Sequence, residues 1–207
     1  MDHKAATIRL SAALLGLLAI GACAAPPTKQ SFADITFSHL PPFMFNVSRV
    51  EIVSEFKPSL KPPYVEQTFP IPPERALRRW AQDRIKAAGP QGSIKVIISD
   101  ASVQDVELEH PKNLQARFTT EQSARYEAVA DATIEIYGPR GSREAFTNAH
   151  AERTQTVSED ATLNEREKIQ YDLTEALMKD FNAQMEQNIS TYLKRYLIAK
   201  RGAAAPP

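Results

Sequence analysis

A single cysteine, Cys23, stands in 207 residues, so no disulfide can form within the chain. Glycine is scarce too: seven residues leave no phosphate-cradling loop and no dinucleotide fingerprint, and no Gly-x-Ser-x-Gly elbow occurs. The histidines are few and scattered. Beyond His3 they are His39, His110 and His150, with no pair at helical ligand spacing and no second cysteine to complete a zinc site, so no metal is expected. Neither sign of charge prevails, with 25 basic and 25 acidic residues. Proteins that hold phosphate backbones draw most of their affinity from a basic excess, so nucleic acid is not an expected partner. No apolar run approaches the ~20 residues of a lasting transmembrane helix.

What is present begins at the amino end. Lys4 and Arg9 form a short basic start, Leu10 to Ile20 is an apolar run, and small residues follow, which is the build of an export signal. Ile20-Gly21-Ala22-Cys23 resembles the lipobox of bacterial lipoproteins. That resemblance implies cleavage after residue 22, a covalent lipid on Cys23 and no other cofactor. Without residues 1–22 the chain keeps 23 basic and 24 acidic residues, since Lys4, Arg9 and Asp2 leave with the signal. The segment after Cys23, Ala24-Ala25-Pro26-Pro27-Thr28-Lys29-Gln30, is small, polar and without period, so 23–42 reads as a lipidated start and flexible tether. Ala24 lacks the acidic character by which the family often retains a lipoprotein at the inner membrane, so the resemblance implies the outer membrane facing the periplasm, with the inner membrane as the alternative. Residues 43–201 form one domain by length, and 202–207 a loose tail.

Within the domain, periods of 2 and 3.6 alternate. Val47 to Phe56 reads as a strand. A passage with Pro58, Pro62, Pro63, Pro70, Pro72 and Pro73 follows, and Pro72-Pro73-Glu74 opens a helix expected over Pro73 to Ala88 with Ala76, Leu77, Trp80, Ala81, Ile85 and Ala88 on one face. Ile94, Val96 and Ile98 mark a second strand that continues irregularly through Val103, Val106 and Leu108, and Glu109 to Thr120 reads as loop. Tyr126 to Ile136 alternates cleanly, Gly138-Pro139-Arg140-Gly141 turns, and Ser142 to Val157 returns. A tight turn centred on Pro139-Arg140 sets Ala130 opposite Ala149 and Ala128 opposite Ala151, a floor of methyl groups that admits a helix at close range.

The last helix opens on Thr162-Leu163-Asn164-Glu165, a capping box. Its apolar positions, from Leu173 through Leu177, Phe181, Met185 and Ile189 to Leu193, advance four residues at a time. A helix repeats every ~3.6 residues, so this line slides by about 40° per step. Either the helix bends, or its end meets something other than the sheet. The fold expected is α+β, a two-layer sandwich with a sheet of about four strands in β-α-β-β-β-α order and a long C-terminal helix.

That layout behind a lipobox is similar to the auxiliary lipoproteins of ABC-type envelope transporters and to lipopolysaccharide-assembly lipoproteins. It implies a non-enzymatic adaptor or accessory subunit in envelope assembly or lipid transport, joined to the membrane by its lipid and to an envelope protein by its surface. Tyr64 and Phe69, among stiffening prolines, read first as aromatic residues that hold a long connection packed over the edge of the sheet, and in the alternative as candidate partner contacts. Tyr192, Tyr196, Leu197 and Ile198, which stand beside Lys194 and Arg195, are candidate partner contacts too, where the end of the helix does not bend onto the core or meet a second contact within the chain. Two further classes compete. A lipid or apolar ligand would need space between the last helix and the alanines. An envelope hydrolase would need histidines or acids gathered in a cleft.

Overall fold

The structure is a computed structural model that describes residues 31–108 and 122–198. Cys23, the expected signal, His110, the whole of the expected 109–120 loop and the expected tail at 202–207 all lie outside them. The elements are β1 (Phe43–Phe45), β2 (Arg49–Ser54), α1 (Pro73–Arg84), β3 (Ile85–Ala87), β4 (Ser93–Asp100), β5 (Val103–Glu107), β6 (Gln122–Tyr137), β7 (Arg143–Ser158) and α2 (Leu163–Tyr192). The fold is α+β, with both helices on one face of a mixed sheet.

Four lines of strand make that sheet. β2 runs parallel to β4 with α1 crossing between them, and β6 runs antiparallel to β4 on one side and to β7 on the other. β5 continues the line of β4 along the first half of β6, so the sheet counts five strands where about four were expected. The break falls at Ala101 and Ser102, both buried. Ser102 is held there: its backbone N–H donates to Asp100 at 2.9 Å and its carbonyl accepts from Val129 N–H at 2.9 Å.

The β6–β7 register differs from the expected one by two residues. Ala130 lies opposite Ala151 and Ala132 opposite Ala149. The connection is a five-residue loop, not a tight turn: Gly138 N–H donates to Ser142 carbonyl at 2.9 Å, and Gly141 takes the left-handed φ of 81° that glycine alone adopts without strain. A slip of two leaves every side chain on its face, because the strand period is two. The floor therefore survives, with Ala128, Ala130, Ala132, Ala149 and Ala151 all buried.

α2 begins as expected. Thr162 Oγ1 accepts from Glu165 N–H at 3.3 Å, and the Glu165 carboxylate accepts from Thr162 N–H at 2.8 Å. Its line of apolar residues, Leu173, Leu177, Phe181, Met185, Ile189 and Leu193, is buried throughout. The slide is met by a change of partner along the helix. Near the start Thr174 Oγ1 donates to Ile71 carbonyl at 3.1 Å and Gln170 reaches Tyr126 Oη at 3.3 Å. In the middle Phe181 meets Trp80 of α1 edge to face, with centroids 5.1 Å apart, while Asn182 accepts from Trp80 Nε1 at 2.9 Å. Beyond Tyr192 the helix gives way to a 3-10 turn at Lys194–Tyr196, and Leu197 then bridges Phe45 as a strand would.

That last contact belongs to a small second sheet that the sequence did not disclose. β1 pairs in parallel with β3, so α1 stops at Arg84 instead of Ala88. Ile85 is extended, at φ −106° and ψ 119°, and the pairing continues as Ala88 N–H donates to Phe45 carbonyl and Gly89 N–H to Val47 carbonyl, each at 2.9 Å. β-branched Ile85 loses side-chain freedom in a helix, and the strand pairing supplies its backbone with partners.

Residues 31–42, expected within a tether over 23–42, belong to the folded body. The compact unit starts at Ser31, and Ile35 and Phe37 are buried. Phe32 stacks on Tyr171 at 5.0 Å, and Phe37 N–H donates to Asp83 at 2.8 Å. The segment packs as an irregular arm, and two alternating apolar residues, Ile35 and Phe37, are too few to mark an element.

Candidate functional site

The residues expected at a partner surface separate into two places. Phe69 leaves the candidates: it is 4% exposed and packs edge to face on Tyr126 at 5.5 Å, so it is core. Tyr64 is half-buried and bridges Gln104 of β5 through its backbone. With Pro62, Pro63, Asp105, Glu107 and the 73%-exposed Leu60 it borders a shallow groove of about 550 Å³. Burial pushes the Asp105 carboxyl up, helped by Glu107 and opposed by Arg166.

The carboxyl-terminal group converges on the small sheet. Leu197 is half-buried against Phe45, while Ile198 donates its N–H to Met44 carbonyl at 2.8 Å. In that pairing Ile198 and Met44 share a face, and Met44 lies beside Lys86 in the β1–β3 register. Ile198 is 41% exposed, Met44 40% and Tyr192, at the last turn of α2, 64%. Tyr196 is half-buried under the Arg195 guanidinium, 4.7 Å from its ring centre. The result is an exposed apolar row, Met44 to Ile198, with Lys86 beside Met44 and Arg195 over Tyr196. Sequence reading missed Met44, and the triplet Phe43-Met44-Phe45 was the signal available.

This row has a firm base. Arg84, fully buried, donates to Pro41 carbonyl and to Glu186 at 3.0 Å, and lies 4.6 Å over the Phe43 ring. One guanidinium thus joins the arm, β1, α1 and α2 directly behind the exposed residues.

The open face of the large sheet is polar. His150 on β7 is bonded at both ring nitrogens, Nδ1 to Asp131 at 3.3 Å and Nε2 to Glu152 at 3.0 Å, and Ser99 Oγ reaches Asp131 at 3.2 Å. The bond to Glu152, followed by the bond and charge of Asp131, raises the imidazole above its ordinary pKa. Since carboxylates occupy both nitrogens and the serine faces Asp131, no hydroxyl is placed for His150 to activate. Nearby, Glu135 accepts from Tyr137 Oη at 2.6 Å and from Arg143, which holds its carboxyl low.

His39 lies exposed on the arm, on the helical side of the molecule, so it and His150 are not brought together. It borders a groove of about 730 Å³ between the arm and α2, with Asp34, Tyr171, Glu175 and Lys179. Among the described residues no set of His, Cys, Asp or Glu is arranged for a metal ion, and no helix is long and apolar enough to cross a membrane. Between α2 and the alanines, where an apolar ligand was expected to need space, the contact is closed. Leu177, Phe181, Met185 and Ala130 have no exposed surface, so no water-sized void adjoins them where α2 meets the alanines.

The sequence matches no family model and no curated protein. Among solved structures it is similar to rare lipoprotein B from Shewanella oneidensis, at 13% identity and a TM-score of 0.34, over 70% of this chain and 96% of that one. A minor lipoprotein from Acinetobacter baumannii overlaps at 12% identity and a TM-score of 0.37, over 75% of this chain and 96% of that one. A PelC variant dodecamer from Paraburkholderia phytofirmans overlaps at 11% identity and a TM-score of 0.20, over 68% and 90% respectively. These overlaps are too loose to carry an argument about what the chain does.

Proposed function

We propose that the chain is a lipoprotein, anchored through Cys23 and facing the periplasm from the outer membrane, that works as a non-enzymatic adaptor in envelope assembly or lipid transport. The address rests on the Ile20-Gly21-Ala22-Cys23 junction. The observation that carries the adaptor role is the exposed pair Met44 and Ile198, with Tyr192 exposed at the end of α2, on a body whose other large apolar residues are mostly buried. Apolar groups set among cations and fixed by the buried Arg84 suit a partner surface with apolar pockets and acidic rims. The closed contact between α2 and the alanines favours this reading over an apolar ligand carried beneath the helix. Both ring nitrogens of His150 being taken by carboxylates favours it over a hydrolase.

The test is a crosslinked pull-down from envelope membranes with wild type and with Tyr192→Ala/Ile198→Asp. Both side chains are solvent-exposed, so the double variant should keep its melting midpoint within a few degrees and still sediment with membranes. It should lose the co-purifying envelope protein. Recovery of the same protein at wild-type yield would refute this surface as the contact.

A further inference from the structure

β7 is an edge strand of 16 residues, and no strand pairs with its outer side among the described residues. Two hydrogen bonds show which of its backbone groups face outward. Val129 N–H donates away from β7, to Ser102, so Val129 and its register partner Glu152 form a non-hydrogen-bonded pair. Asn148 carbonyl, two pairs further along, accepts from Asn188 of α2 at 2.7 Å and so also points outward. By the strand period, the N–H and carbonyl groups of Phe146, Asn148, His150, Glu152, Thr154 and Thr156 all point to that edge; the Asn148 carbonyl is held by the Asn188 amide, which must turn aside for that one carbonyl to pair. The backbone protections are missing, and the charges on this edge are of both signs. Between Ala145 and Val157 there is no proline, no glycine and no bulge.

We infer that this edge pairs with the same edge of a second copy, antiparallel about a two-fold axis at Ala151, to make one continuous sheet across a homodimer. The side chains select that register. Centred on Ala151, the regular stretch 145–157 pairs along its whole length, and His150 lies opposite Glu152 of the second copy twice over. Together with the His150–Glu152 contact within each chain, these four groups form a square of alternating charge. A centre on His150 would set imidazole against imidazole, and one on Glu152 would set carboxylate against carboxylate; like charges directly opposite are unfavourable. The raised pKa of His150 keeps it cationic further toward neutral pH.

Two other features agree. Phe146 is 58% exposed on the open face, and the same register lays it against Thr156 of the second copy, a favourable aromatic and β-branched pair. α2 lies under β7, so the two α2 helices would become neighbours. Asn188 marks the flank concerned, and Gln184 and Thr191, on the same side by helical spacing, are uncharged. The one acid near it, Asp180, is already paired with Arg153.

The test is sedimentation velocity with the full-length chain in detergent, over a range of concentrations. Wild type should sediment at the mass of two chains. Glu152→Lys and His150→Glu should each weaken the dimer by about tenfold, because each disturbs two symmetry-related pairs. The double variant restores opposite charges across the axis and should return to within a few fold of wild type. Thr154→Pro removes an outward donor without touching the β6 ladder and should give single chains with an unchanged melting midpoint. If the proline variant melts early, the charge exchange decides alone. Wild type that stays a single chain at every concentration, or a dimer indifferent to both single charge variants, would overturn the inference.

Discussion

Arg84 sits where four segments meet, and its surroundings explain why none of its neighbours can move alone. It is buried, bonded to Glu186 and Pro41 and stacked on Phe43. Glu186 is half in solvent, so the pair escapes the full cost of a buried ion pair. Arg84→Ala should destabilise by about 3 kcal/mol, through a cavity and the loss of three contacts. Arg84→Lys should cost about 1–2 kcal/mol, because a single ammonium cannot serve both acceptors and the ring. Urea unfolding measures both. His150 makes a prediction about pH. Its pKa is raised in the folded state by Glu152 and Asp131, so its contribution is complete below the unfolded value of ~6.5 and is lost as pH rises through the raised one. The melting midpoint of wild type should therefore fall, relative to His150→Gln, as pH climbs from 6 toward 8; parallel curves would contradict this. The sequence placed His150 on an alternating strand. It could not show that Asp131 stands directly opposite, because the expected register was two residues off.

The elements divide by how much of their own period they carry. α2 was legible from its capping box and fourfold apolar line, since thirty residues repeat the pattern many times. Thr162→Ala should cost about 1 kcal/mol by urea unfolding and Thr162→Ser almost nothing. The alanine floor was legible for the same reason, and its consequence is steric. Ala130 and Ala151 are register partners buried in the core, so Ala130→Leu should destabilise by roughly 2–3 kcal/mol, whereas leucine at half-buried Ala145 should cost under about 1 kcal/mol. Equal costs at the two sites would mean that α2 does not press on the floor. What stayed hidden were β1 and β3, three residues each, too short to show any alternation. Their pairing also cut α1 short, because helix propensity at Ile85 is weak and strand partners were available. The arm from Ser31 was hidden likewise: its burial depends on Tyr171 and Asp83, far away in sequence.

For the whole molecule, the sequence declared its class, and the structure supplied its surfaces. Periodicity sufficed for an α+β fold because each layer repeats its own signal. Contacts with other molecules follow no period, and of the six residues expected at a partner surface Phe69 proved to be core while Met44 went unnoticed. The account joins an anchor at Cys23 to a closed body that offers an apolar row at its small sheet and an open edge at β7. The anchor is the premise on which the adaptor role stands. Its most direct test is intact-mass measurement and membrane fractionation of wild type and Cys23→Ala in a Gram-negative host. The account predicts a wild-type chain that starts at Cys23, carries acyl mass and sediments with membranes, beside a variant that carries no acyl mass. Two chains that are both soluble and both unmodified would contradict it.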